Sequence, residues 1–178
     1  MKTHSNYINI NTSDLLATFK KGDVLFTREY NIWSLFDFIF TNEGVFHTCL
    51  ITEKNNQLYL LHSHCASIFN PNYVISEYTY CGSTWRVFEE PLLEYVLVNE
   101  KSVYHIFRHD SPKNILITNK MIKKANCYCS HLIGTIFYEN KLFTLEEKGK
   151  GLVVSFHPDK IIQRLYQIGY KSLFVRQV

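Results

Sequence analysis

The sequence predicts one α+β domain spanning residues 1–178, in which an antiparallel sheet packs against a helix near residue 130. Three observations predict it. Short apolar runs with strand periodicity recur along most of the chain, and one pair is separated by a polar tetrapeptide suited to a hairpin loop. Helix starts are fewer, each marked by a capping residue or by Pro at the first helical position. The 12 Tyr and 13 Phe favour strands and aromatic packing over a helical bundle.

In chain order, Ser13 can cap a short helix through Leu15, Leu16 and Phe19, which Gly22 ends. Asp23-Val24-Leu25-Phe26 opens a strand. Residues 32–40 suit a short buried or amphipathic helix. Residues 45–52 and 58–64 read as strands flanking Lys54-Asn55-Asn56-Gln57, and residues 73–80, 84–88, 92–98 and 103–108 read as further strands. Asn126 is a candidate N-cap for a helix that carries Leu132, Ile133, Ile136 and Phe137 on one face. Its mid-helix Gly134 costs roughly 1 kcal/mol relative to Ala, tolerable where the helix packs close to the sheet. His157-Pro158-Asp159 begins another helix, and residues 172–175 form a last strand.

Composition narrows the function classes. Hydrophobic residues make up 46% and charged ones 20%, enough apolar material for a core, so disorder is not expected. The formal charge of +3 is spread along the chain with no arginine-rich run, which argues against nucleic-acid binding. Residues 1–11 are polar, unlike a secretion signal. The apolar stretch 32–40 contains Asp37 and is too short to span a bilayer, although it could bind an acyl chain or touch a membrane surface. Five cysteines (Cys49, Cys65, Cys81, Cys127 and Cys129) form an odd set, for which reduced thiols are expected. An intracellular or virion-associated protein is the expectation.

Two constellations carry chemistry. In the hairpin, side chains alternate, so His47, Cys49 and Ile51 share a face, as do Leu58, Leu60, His62 and His64. If Lys54 pairs with Gln57, His47 stands opposite His64 and Cys49 opposite His62, with Cβ atoms ~5 Å apart. In Asn126-Cys127-Tyr128-Cys129-Ser130-His131, the helix start puts Cys129 in the first turn, where unpaired N–H groups and the helix dipole favour a thiolate. With His47 as base this makes an activated nucleophile, and the backbone N–H of Cys129 is an oxyanion donor.

The sequence also resembles the permuted NlpC-type hydrolases, a group that includes lecithin–retinol acyltransferase-like enzymes and poxvirus relatives. Gly22-Asp23-Val24-Leu25-Phe26 resembles the family's opening strand, Phe46-His47-Thr48-Cys49-Leu50-Ile51 its histidine strand, Tyr128-Cys129-Ser130-His131-Leu132-Ile133 its nucleophile motif, and Phe156-His157-Pro158-Asp159 a late helix start. The resemblance implies a circularly permuted papain-like fold, His before Cys in the chain. It also implies hydrolysis or acyl transfer on an amide, ester or thioester of a small-molecule, peptide or lipid acyl substrate, without cofactor or metal. For the third catalytic residue the family pattern selects His62, whereas direct cross-strand pairing selects His64 as the alternative. Departures are Cys49 where the family usually has Gly, His131 where an acidic residue is common, and no Tyr-Asp signature between Val103 and Ala125. Two other readings compete. One is a zinc site built from Cys127, Cys129 and His131 with His62, His64 and Cys65, whose spacings are tighter than the usual structural pattern. The other is a catalytically inactive papain-like module used for binding or as a virion component.

Overall fold

A computed structural model describes residues 7–28, 47–65, 71–80, 82–99, 102–111, 113–125, 128–144, 146–148, 151–153 and 157–178. It is a mixed α and β structure. The strands are β1 (Ile8–Ile10), β2 (Val24–Arg28), β3 (His47–Lys54), β4 (Gln57–His64), β5 (Val74–Tyr80), β6 (Ser83–Pro91), β7 (Val103–His109), β8 (Glu146–Lys148), β9 (Gly151–Val153) and β10 (Tyr170–Gln177). The helices are α1 (Thr12–Thr18), α2 (Leu92–Val98), α3 (Asn119–Lys124), α4 (Cys129–Glu139) and α5 (Pro158–Gln167). Eight strands form one sheet in the order β1-β10-β7-β2-β3-β4-β6-β5, antiparallel except for the β1–β10 pair, and β8 with β9 forms a separate ribbon.

Strand alternation divides the core into two layers. Val24, Phe26, Leu50, Leu61, Val87 and Phe107 point to the face covered by α4 and α5, where Leu132, Ile133, Ile136, Phe137, Ile161 and Leu165 complete the cluster. Leu25, Cys49, Ile51, Leu60, Tyr104 and Ile106 point the other way, under α1 and α2. The sheet is thus covered on both faces. Leu132, Ile133, Ile136 and Phe137 are fully buried, and each contributes roughly 1.5–3 kcal/mol of burial.

Three expectations are corrected. Residues 92–98 are helical, not strand: Leu92, Tyr95 and Val96 are buried while Leu93, Leu97 and Val98 are exposed, a period of three to four residues. The first helix is capped by Asn11, whose side chain accepts from the Asp14 N–H, and Ser13 only donates its hydroxyl to Asn11. At α4 the N-cap position is Tyr128, which makes no side-chain cap bond; Asn126 lies outside the described residues, as do Cys81, Cys127 and the segment 32–40.

The opening of β2 is fixed by a polar knot. Gly22 adopts φ +86°, and its N–H donates to the Ile51 carbonyl while Asp23 accepts from Arg108 at 2.9 Å and from the Lys20 N–H at 2.9 Å. Buried Asp23 thereby ties the entry of β2 to β7. On the other side of β2, β3 and β4 meet in a two-residue turn. Lys54 pairs with Gln57, and Asn55 and Asn56 take φ +51° and +61°, the left-handed pair that a type I′ turn requires.

Candidate functional site

The hairpin register that this turn imposes places the histidines. Leu50 pairs with Leu61 and Ile51 with Leu60, the last pairs before the ladder ends; continued past that end, the register would bring Cys49 towards His62 and His47 towards His64. All four side chains share the face covered by α2. The rings of His47 and His62 are 4.9 Å apart and those of His47 and His64 are 5.6 Å apart. The first pair forms a polar link: His47 Nε2 lies 2.7 Å from His62 Nδ1. Side-chain reach along the diagonal thus overrides direct opposition.

Behind His62 stands a carboxylate. His62 Nε2 is 2.8 Å from Glu90 Oε1, a close contact that is not in line for a hydrogen bond. Both side chains are buried, and the His62 ring stacks on Phe88 with its centroid 5.3 Å away. Tyr95, on α2, meets the His62 ring edge-on and places its hydroxyl 3.0 Å from that of Thr27. Neither Glu90 nor Tyr95 was legible as a site residue in the sequence. Phe88 pairs with His62 and Glu90 with Leu60, so the position of Glu90 follows from the β4–β6 pairing, for which no local spacing gives a sign.

Cys129 is the first residue of α4 and is half-buried. By alternation His47 belongs to the face opposite α4, yet it is the first residue of β3, and from that end its ring hydrogen-bonds the Cys129 thiol. Burial pushes the thiol up, but the charge and hydrogen bond of His47 and the backbone N–H groups of Thr48 and Ser130 outweigh it. The net result is a Cys129 pKa below the ordinary thiol value. The bare N-cap explains part of this. A Ser or Asp at position 128 would engage N–H groups of the first turn, whereas Tyr128 leaves the Ser130 N–H to the sulfur.

The structure therefore brings together Cys129, His47 and His62, with His64 at the margin. Of the zinc set suggested by the sequence, Cys127 lies outside the described residues, and the remaining members do not form a metal-holding group among the described ones. Among the described residues the group able to hold a metal is His47, Cys49 and His62, while Cys65 is exposed. A groove of about 340 Å³ lies at the other end of β3, lined by Leu50, Thr52, Leu61, Ile75, Lys113 and Ile122 among others, and includes none of the site residues. No described helix is long and apolar enough to cross a membrane. The chain matches no protein-family model and no curated protein.

Proposed function

We propose that this protein is a cysteine-dependent hydrolase or acyltransferase of permuted papain-like type, with Cys129 as nucleophile and His47 as base. The observation that carries the reading is the continuous chain Cys129–His47–His62–Glu90, in which each ring nitrogen faces a group of matching polarity. His47 Nε2 is engaged by His62, which leaves Nδ1 for the thiol proton. Once protonated, His47 donates from Nε2 to His62 Nδ1, and the Glu90 carboxylate, 2.8 Å from His62 Nε2, balances the charge of the pair. The tautomers are assigned from these contacts.

The thiolate attacks a carbonyl carbon, and the Cys129 N–H at the start of α4 stabilises the oxyanion. The His47 imidazolium then protonates the leaving group, and water or another acceptor nucleophile, deprotonated by His47, releases the acyl group and regenerates the thiol. His62 and Glu90 orient the base and balance its charge. Amides, esters and thioesters are the candidate bonds, on small-molecule, peptide or lipid acyl substrates. The order of the histidine strand before the cysteine helix, on a sheet covered by that helix, supports the permuted fold.

A panel of p-nitrophenyl esters, thioesters and short peptide amides tests the reading. Turnover is expected to fall by about 10²–10⁴ in Cys129→Ala and in His47→Ala, with no further loss in the double variant because the pair acts as one unit. Glu90→Gln is expected to lower kcat with KM unchanged. Equal turnover in wild type and Cys129→Ala would leave the fold as a binding or assembly module.

A further inference from the structure

The pair His47–His62 has a third neighbour that the reaction above does not use. Cys49 lies two residues along β3 from His47, just past the Leu50–Leu61 pair, and is fully buried. One ligand atom from each of His47, Cys49 and His62 lies within 4.8 Å of the others. We propose that these three side chains bind a soft divalent cation of the zinc class, which takes the place of the proton shared by the two imidazoles and switches the base off.

The donor set selects the metal. Two imidazoles and a thiolate suit zinc or cadmium and not magnesium or calcium, which require oxygen ligands. Zinc–nitrogen bonds of about 2.0–2.1 Å and zinc–sulfur bonds of about 2.3 Å put tetrahedral ligand atoms roughly 3.3–3.8 Å apart. His47 Nε2 and His62 Nδ1, now 2.7 Å apart, converge on one point and need to part by only about 0.6 Å to admit the ion. Independently, the Glu90 carboxylate stands 2.8 Å behind His62 Nε2. A carboxylate behind a ligating imidazole raises ligand basicity in zinc sites, and Glu90 is near enough to take that place once the His62 ring turns onto an ion. The fourth coordination position falls to Cys129, His64 or water.

Proton accounting gives the consequence. Cys49 releases its thiol proton to solvent on binding, and the proton of neutral His47 moves from Nε2 to Nδ1. That nitrogen then faces Cys129 as a donor and cannot accept the thiol proton. The inhibition rests on the catalytic reading of His47; the binding does not.

The experiment separates the two. Zinc is titrated against a chromogenic chelator, and cadmium is followed by its ultraviolet thiolate absorption, in a protein carrying Cys65→Ser, Cys81→Ser and Cys127→Ser. One equivalent is expected to bind, with affinity kept within tenfold in Cys129→Ala and reduced at least 100-fold in Cys49→Ala. X-ray absorption of zinc-loaded Cys129→Ala, which leaves the buried Cys49 untouched, is expected to show one sulfur and at least two imidazole nitrogens. Absence of stoichiometric binding, a zinc shell without sulfur, or unchanged affinity in Cys49→Ala overturns the proposal. None of these outcomes alters the labelling of Cys129 in metal-free protein, so the catalytic reading stands or falls separately.

Discussion

Two strands apart in the sheet lie two kinds of buried histidine. His47 and His62 are chained to a thiol at one end and a carboxylate at the other. His105, on β7, sits in an aromatic enclosure: its ring stacks on Phe174 with centroids 3.7 Å apart, Phe107 lies 4.2 Å away, and its buried Nε2 has no hydrogen-bond partner. Burial in that apolar setting holds the His105 pKa down to about 4. The three side chains are similarly inaccessible, so burial alone does not mark a histidine as functional. What the second ring nitrogen meets makes the difference, since proton transfer needs a partner on both sides of the ring.

The largest effect expected from this contrast concerns Cys129 reactivity. The thiolate exists above the folded-state pKa of Cys129, which lies below the ordinary thiol value, so labelling by iodoacetamide should extend to lower pH than for an ordinary thiol and decline as pH falls through that lowered value. In His47→Ala the effect of burial is left with only the backbone donors against it, and the thiol moves up. Labelling at pH 7 should then fall on the order of 10²-fold, because the thiolate fraction drops. His105→Phe should stay within twofold of wild type. A similar loss in both variants would show that the two histidines differ in setting but not in role.

Part of this contrast was legible in the sequence. Alternation on the two hairpin strands, with a turn whose length preserves parity, was enough to put His47, Cys49, His62 and His64 on one face. The place of Cys129 at a helix start was likewise readable from its polar approach and the apolar stripe that follows. The capping residue was misread because Tyr128 offers no side-chain bond for a pattern to reveal. Residues 92–98 read equally well as strand, because a seven-residue apolar run has too few turns to display a helical period against Pro91 and Glu94. Glu90 and the His105 enclosure depend on pairing between strands distant in the chain, β4 with β6 and β7 with β10, and no local pattern encodes such a register.

The second effect is on stability. The His105 pKa is about 4 in the folded state against an unfolded value of 6.5, so between those pH values the unfolded chain binds more protons than the native one. Stability from this group is therefore complete above pH 6.5, falls as pH drops towards 4, and levels below it. The loss is about 2 kcal/mol at pH 5 and about 3 kcal/mol in full. His105→Phe keeps the ring in the aromatic enclosure and removes the titration, so its unfolding free energy should change less than that of wild type between pH 8 and pH 5. Urea unfolding at the two pH values measures the difference. Identical pH dependence in both proteins would mean that His105 takes up its proton without cost, contrary to its setting.

The smallest effect lies at the turn that joins the two histidine-bearing strands. Asn55 and Asn56 both hold positive φ, and asparagine tolerates that region only moderately, whereas glycine enters it without a Cβ clash. Asn-Gly is the favoured pair for a type I′ turn. Asn56→Gly therefore relieves strain in the folded hairpin while adding freedom to the unfolded chain, and the net gain should be no more than about 1 kcal/mol. For a chain of this size that corresponds to a rise in Tm of about 2–4 °C at most. Asn56→Val should reverse the sign, because a β-branched side chain is disfavoured at positive φ. Neither change touches the register, so Cys129 labelling and its dependence on His47 should be unchanged in both. A Cys129 rate that tracked turn stability would tie the His47–His62 contact to the hairpin's opening, and would mean that the two strands hold this pair less firmly than their pairing implies.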